Sequence, residues 1–223
     1  MDILYDAAMR FRLSRTIPQT PWRASNTWSL TPIRFAILVI GLSLFGIGDG
    51  LLVVAHLGNA PWTVLAQGLS LRTGIALGWW TFIISTIVLL IWIPLREKPG
   101  FGTIANIVVI AFFIQLTVDF LPTPALLWEK LTLSIIGILI VGAGSSLYLT
   151  CGLGPGPRDG LMTALHYRSG LPVGRVRLFI ELIVLSLGWA LGGRVGVGTF
   201  LFALFIGFSV AFWLGIVRRF TPH

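Results

Sequence analysis

Gly152-Leu153-Gly154-Pro155-Gly156-Pro157-Arg158-Asp159-Gly160 stands between two long apolar runs. Such a stretch cannot continue a helix, because proline lacks an N–H and glycine raises the entropy cost of ordering the backbone. It is well suited to start one. Pro157 fits the first helical position, Asp159 falls in the first turn near the positive end of the helix dipole, and Gly170 can close the segment. Free N–H groups at that start, beside Arg158, would offer a place to an anion. The plainer alternative is a tight turn whose arginine holds lipid phosphate or a neighbouring carbonyl.

Searching outward for internal similarity gives a constant offset of 96 residues, without a gap. Leu57-Gly58 falls on Leu153-Gly154, and Pro61 on Pro157. Upstream, Gly41, Gly46 and Gly48 fall on Gly137, Gly142 and Gly144. Downstream, Arg72, Gly74 and Gly78 fall on Arg168, Gly170 and Gly174, and Gly100, Gly102 and Thr103 on Gly196, Gly198 and Thr199. Matches of Leu or Val between apolar helices are cheap. Those of Gly, Pro and Arg are not, because backbone needs place these residues. The motif is thus one of two equivalent helix starts, with Arg158-Asp159 in one copy and Trp62-Thr63 in the other.

The 223 residues are 56% hydrophobic and only 11% charged, with mean hydropathy +0.91. A soluble domain carries about a quarter charged residues, so the chain reads as an integral membrane protein. A net charge of +8 could suggest nucleic acid. That partner is rejected, because the basic residues fall in short segments between apolar runs, where they set orientation and touch anionic lipid. The single cysteine, Cys151, excludes an internal disulfide. His56, His166 and His223 show no metal-ligand spacing, and no cofactor is expected.

Six spans are read, near 33–56, 75–94, 101–121, 131–151, 173–193 and 195–217. Each is close to the ~20 residues that cross the hydrocarbon core. The organisation is a tail over 1–32, one three-helix repeat over 33–121, a second over 131–217, and a short tail over 218–223. In the first tail, Met9 to Leu13 suits either a short surface-lying amphipathic piece or a disordered basic arm. Thirteen Lys and Arg fall on the side of both tails, the 94–101 loop and the 152–177 region, against three (Arg72, Lys130 and Arg194) on the other. This places both termini in the cytoplasm of a cell whose plasma membrane the chain spans. Three spans per half invert the second half relative to the first. Pro61 to Leu71 and Pro157 to Arg168 then read as short interfacial or re-entrant helices at opposite faces.

The polar residues inside the spans carry the functional reading. Asp49 lies within the first span, where an ionised carboxylate costs about 2.5–3.5 kcal/mol by insertion scales. It reads as a proton or cation site, as the counter-ion of an arginine, or as a carboxylate near the outer interface. Glu181 follows Arg177 by one helical turn, so an i,i+4 pair is the simplest account; a bridge to Asp159 or to solute is the other. Asn106 and Gln115 are expected to bond across helices, and Asp119 to sit at the interface. His166 lies two turns after Asp159 and suits an interface position more than a base. The glycines of the first and fourth spans would let those helices cross closely, or form a homodimer face. With no nucleophile–base set, no metal spacing and no phosphate loop, no enzyme activity is expected.

Over about residues 33–217, the chain resembles the bacterial YczE/YitT-type family of multi-pass plasma-membrane proteins. The resemblance rests on Leu153-Gly154-Pro155-Gly156-Pro157-Arg158-Asp159-Gly160-Leu161-Met162, on Leu57-Gly58-Asn59-Ala60-Pro61-Trp62 and on Gly196-Val197-Gly198-Thr199. An acidic residue usually follows the tryptophan in the YczE branch; here it is Thr63. The resemblance implies the multi-pass topology and no particular reaction.

The expected fold is therefore all-α and membrane-embedded: six transmembrane helices as two inverted three-helix repeats, each with a short helix between its first and second spans. The expected function is a permease for a small anionic or zwitterionic solute, since inverted repeats with broken segments are the usual build for alternating access. Arg158, Asp159, Asp49, Arg177 and Glu181 are the candidate solute contacts, and Gly58, Pro61, Trp62, Gly154, Gly156, Pro157 and Gly160 the structural motif. The competing reading is a non-transporting factor that binds or positions a protein or lipid partner. Its mark would be a dry core and a glycine face taken by that partner.

Overall fold

The computed structural model describes residues 17–220. Among the described residues there are eight α-helices and no strand. They are α1 (Pro32–Ala55), α2 (Pro61–Thr73), α3 (Leu77–Leu95), α4 (Phe101–Phe120), α5 (Leu127–Thr150), α6 (Pro157–Ser169), α7 (Val173–Ala190) and α8 (Val197–Val217). A 3-10 turn over Arg218–Phe220 follows. The stretch Met9 to Leu13 lies outside the described residues.

Five helices, α1, α3, α4, α5 and α8, are long and apolar enough to cross a membrane. The remaining expected span, α7, has 18 residues that include Arg175, Arg177 and Glu181, more charge than a plain apolar span carries. Helix ends follow the chemistry read above. Thr31 caps α1 by accepting from the Arg34 N–H, and Pro61 and Pro157 open the two 13-residue helices α2 and α6. Gly74 and Gly170 close those helices in the left-handed conformation. Some boundaries differ: α3 does not stop at Pro94 but runs through it to Leu95, α5 begins at Leu127 rather than near 131, and α7 ends at Ala190 rather than near 193.

The centre of the fold is the crossing of α1 and α5. A Cβ built on Gly48 would stand 2.7 Å from the Gly137 carbonyl oxygen, and one on Gly144 2.4 Å from that of Gly41. The 96-residue offset converts the first contact into the second. Around this crossing, α4 packs on α1 and α8 on α5. The short helices do the opposite and cross between halves: α2 packs on α7, and α6 on α3.

The loops before the short helices cross over in the same way. Gly198 N donates to the Leu57 carbonyl at 2.8 Å, and Gly102 N to the Leu153 carbonyl at 2.8 Å. Gly58 and Gly154 both have φ +112°, and each lies against the start of the other half's last long helix. A Cβ on Gly58 would meet Gly196 N at 2.6 Å, and one on Gly154 would meet Thr103 Oγ1 at 2.8 Å. Both the conformation and the closeness require glycine there.

Residues 17–31 are not a loose tail. Thr20 Oγ1 donates to the Thr150 carbonyl at 3.0 Å, Ala24 N to the Cys151 carbonyl at 2.8 Å, and Phe101 N to the Thr27 carbonyl at 3.0 Å. Arg34 binds this strap from α1, donating to the Trp22 and Ser29 carbonyls at 3.0 Å each. The segment closes the end of the bundle where α5 gives way to the glycine-proline stretch.

Candidate functional site

Pro157 at the head of α6 puts Arg158 and Asp159 in its first turn, and Pro61 does the same for Trp62 and Thr63 at the head of α2. Because the short helices are exchanged between the halves, these two first turns meet. The Arg158 guanidinium carbon lies 5.2 Å from the centroid of the Trp62 ring. Neither helix start is capped by a side chain.

Around this meeting point is a cavity of about 390 Å³ to which every one of the eight helices contributes. All five of the expected solute contacts line it: Asp49 from α1, Arg158 and Asp159 from α6, and Arg177 and Glu181 from α7. Pro61, Trp62 and Gly156 of the motif line it as well. The other motif residues build its frame. Gly160 takes no side chain because Trp92 Cζ2 stands 2.0 Å from where a Cβ would be, while Trp92 Nε1 donates to the Pro157 carbonyl at 3.1 Å.

Polarity is graded along the cavity. At the exposed end, Arg177 Nε donates to Glu181 Oε1 at 2.9 Å, the i,i+4 pair read from the sequence. At the buried end, Asp49 is 1% exposed. Its Oδ2 accepts from Thr63 Oγ1 at 2.7 Å, and its Oδ1 has no hydrogen-bond partner. Trp62, 7% exposed, has an Nε1–H that is also without an acceptor. Asp159 Oδ2 accepts from the Tyr148 hydroxyl at 2.8 Å. Arg158 makes no hydrogen bond or ion pair with the described residues; the Trp62 ring is its contact. A cation over a ring face gains about 0.5–2 kcal/mol, and it keeps all five guanidinium N–H groups free to donate.

Two residues at this site were not among the contacts expected from the sequence. Thr63 donates its hydroxyl to the Asp49 carboxylate. Its signal was the repeat itself, since Thr63 is the counterpart of Asp159. Tyr148 gave no signal: it matches Leu52 and sits in an apolar stretch. Ser85 and Ser145 add small polar surface to the wall, and Asn106 lines the cavity beside Gly156 rather than bonding across helices. Gln115 does bond across helices, with Oε1 accepting from Gly78 N at 2.8 Å, and its Nε2 donates to Asp119 at 2.7 Å. His166 is half-buried, with Nδ1 against the Leu171 carbonyl at 2.6 Å, and it is not part of the cavity wall. Among the described residues no group of His, Cys, Asp and Glu could hold a metal ion.

A second polar cluster lies at the loops next to α8. Asn59 Nδ2 and Arg194 N both donate to Gln67 Oε1, at 2.9 and 2.8 Å. His56 Nδ1 accepts from Arg194 Nη1, which leaves Nε2–H to donate to Thr123 Oγ1 at 3.2 Å. Burial, helped by Arg194 and Lys130, holds the His56 pKa below its ordinary 6.5.

The model of a family described as "Family of unknown function (DUF6198)" matches residues 32–214. An "Uncharacterized protein" of Haemophilus influenzae is 47% identical over 209 residues, which is 94% of this chain and 95% of that one. The "Uncharacterized membrane protein YczE" of Bacillus subtilis is 30% identical over 82% of this chain and 86% of its own. YyaS of the same organism is 28% identical over 84% of this chain and 95% of its own. No solved structure matches. The likeness to YczE agrees with the resemblance drawn from the glycine-proline-arginine-aspartate motif.

Proposed function

The chain belongs to the DUF6198 family of membrane proteins, and we propose that it is a permease that moves a small anionic or zwitterionic solute through the cavity between its halves. The observation that carries this reading is the meeting of Trp62 and Arg158, two equivalent positions, in a cavity that also holds Asp49, Asp159, Arg177 and Glu181. Transporters built from inverted repeats bind solute at such a repeat interface, between the starts of broken helices.

In this reading α7 is the sixth span. Arg175 and Arg177 lie in its opening turns, where their heads reach the interface, and Glu181 is neutralised by Arg177. Each half then contributes three spans, the halves are inverted, and both termini lie in the cytoplasm of a plasma-membrane protein. Rocking of one half on the other would use the α1–α5 crossing as its pivot, with the cavity exposed to one side at a time. The chemistry is binding and release, with no covalent step.

A non-transporting factor would need its glycine faces free for a partner. Those of α1 and α5 are packed on each other within the chain, so any homodimer would use another surface. The test is flux. Purified chain in proteoliposomes is expected to pass small charged solutes or protons, and Asp49→Asn and Arg158→Gln to abolish that passage. Equal flux with and without these side chains removes the proposal.

A further inference from the structure

The lining of the cavity says more about the solute than its size does. Three carboxylates (Asp49, Asp159 and Glu181) and two guanidiniums (Arg158 and Arg177) face it. Asp159 and Glu181 already have partners on the protein. What is left over is specific. Asp49 Oδ1 is a buried acceptor without a donor, and Trp62 Nε1 a buried donor without an acceptor. Arg158 adds a set of N–H donors that lie over the Trp62 ring, near the carboxylates of Asp49, Asp159 and Glu181 but hydrogen-bonded to none of them among the described residues. Orphan groups of this kind are costly unless something completes them, and a charged partner completes them best.

A simple anion would satisfy Arg158 and Trp62 but would lie beside the Asp49 carboxylate. A simple cation would satisfy Asp49 and leave Arg158 facing it. A molecule with both charges satisfies all three groups and adds no net charge to a low-dielectric site. Phe45, Ile110 and Val141 add an apolar wall, and about 390 Å³ is at the small end of ligand sites.

We infer that the cavity binds a small zwitterion with a hydrocarbon side, its ammonium on Asp49 Oδ1 and its carboxylate on Arg158 and Trp62 Nε1. This inference rests on the reading of the cavity as the solute site, and it narrows that reading to one charge pattern.

The test uses the full-length chain in detergent. The probes are L-alanine, L-valine, L-leucine and L-phenylalanine, each beside its decarboxylated amine and its deaminated acid. Binding is read by thermal shift and calorimetry. At least one zwitterion is expected to bind tenfold or more tightly than its own amine and its own acid. Asp49→Asn should erase the advantage over the acid, and Arg158→Gln the advantage over the amine. Trp62→Phe keeps the ring under Arg158 and removes only the N–H, so it should weaken the acid and the zwitterion and leave the amine unchanged. It also serves if either charge variant fails to fold.

The inference is overturned if an acid or an amine binds as tightly as its zwitterion, or if none of the zwitterions binds. The two readings fail differently. An acid that is carried, with dependence on Arg158, would leave a permease without this specificity. A zwitterion that binds but never crosses proteoliposomes would leave the specificity without a permease.

Discussion

Arg158 lies over the ring of Trp62, 5.2 Å from its centroid, and the two residues hold the same place in the two halves of the chain. The contact exists because the short helices are exchanged: each starts in its own half and packs against the other. A charge in one copy is thus set against an aromatic ring in the other, and a pair of equivalent positions becomes an unlike pair. The asymmetry that gives the cavity its chemistry comes from side chains laid on a repeated backbone.

Thr63 is expected to matter through Asp49. Thr63→Val keeps the shape and removes the one hydroxyl that, among the described residues, donates to the carboxylate, at a cost of about 1–3 kcal/mol in unfolding stability. Combined with Asp49→Asn in a double-mutant cycle, the two effects should fall short of their sum. Losses that add within about 0.5 kcal/mol would mean that the hydroxyl and the carboxylate are not coupled.

The crossing of α1 and α5 should tolerate no added methyl. A Cβ on Gly144 would lie 2.4 Å from the Gly41 carbonyl oxygen and 2.5 Å from Phe45 N, both backbone atoms that cannot turn aside. Gly144→Ala is expected to cost about 1–3 kcal/mol or more. Gly174→Ala is the control: nothing lies within 4 Å of its Cβ position, and in a helix alanine is favoured by up to about 1 kcal/mol. Thermal unfolding of both variants in one detergent makes the comparison, and equal midpoints would show that the crossing yields.

Cys151 reports on the strap. It is fully buried, and Ala24 N donates to its carbonyl. Maleimide should label the intact chain slowly under native conditions. A chain lacking its first 31 residues should label much faster, because the loss of Thr20, Trp22 and Ala24 uncovers the end of α5. Equal rates in the two chains would mean that something other than the strap protects the thiol.

His56 gives the fold a pH dependence of known sign. Its folded pKa lies below 6.5, so between that value and 6.5 the unfolded chain binds more protons than the folded one. Stability is therefore complete above about 6.5 and declines as pH falls through that window. Protonation of Nδ1 would also remove the acceptor that Arg194 uses. Melting curves at pH 8 and pH 5.5 should differ more for the natural chain than for His56→Gln. A parallel pH dependence in both would assign the effect to other groups.

Much of this architecture is legible in the sequence. Gly58 and Gly154, and Pro61 and Pro157, are placed by backbone demands that few other residues meet, so they mark their own positions. The charged candidates converged because carboxylates and guanidiniums in apolar stretches have few places to go. What escaped notice depends on how the elements cross. Trp62 meets Arg158 only because α2 and α6 change partners, and no periodicity records that exchange. Tyr148 passes for one more apolar residue until its hydroxyl finds Asp159. Residues 17–31 have no regular pattern, so nothing in them announces a strap. Helix α7 sits between the cases: its length suits a span, and its three charges make it less than a plain one.

The exchanged loops bear on how the chain is made. Leu57 waits for Gly198, Asn59 for Arg194, and Arg72 for Leu191, a partner 119 residues further along. On a ribosome these residues emerge long before their counterparts exist. The later copy has no such delay: when Leu153 and Arg168 are synthesised, Gly102 and the Pro94 carbonyl that receive them are already in place. Two halves alike in geometry are thus unlike in birth order. The first must persist in the bilayer with its loop undocked, and the last helix to be translated releases it from that state.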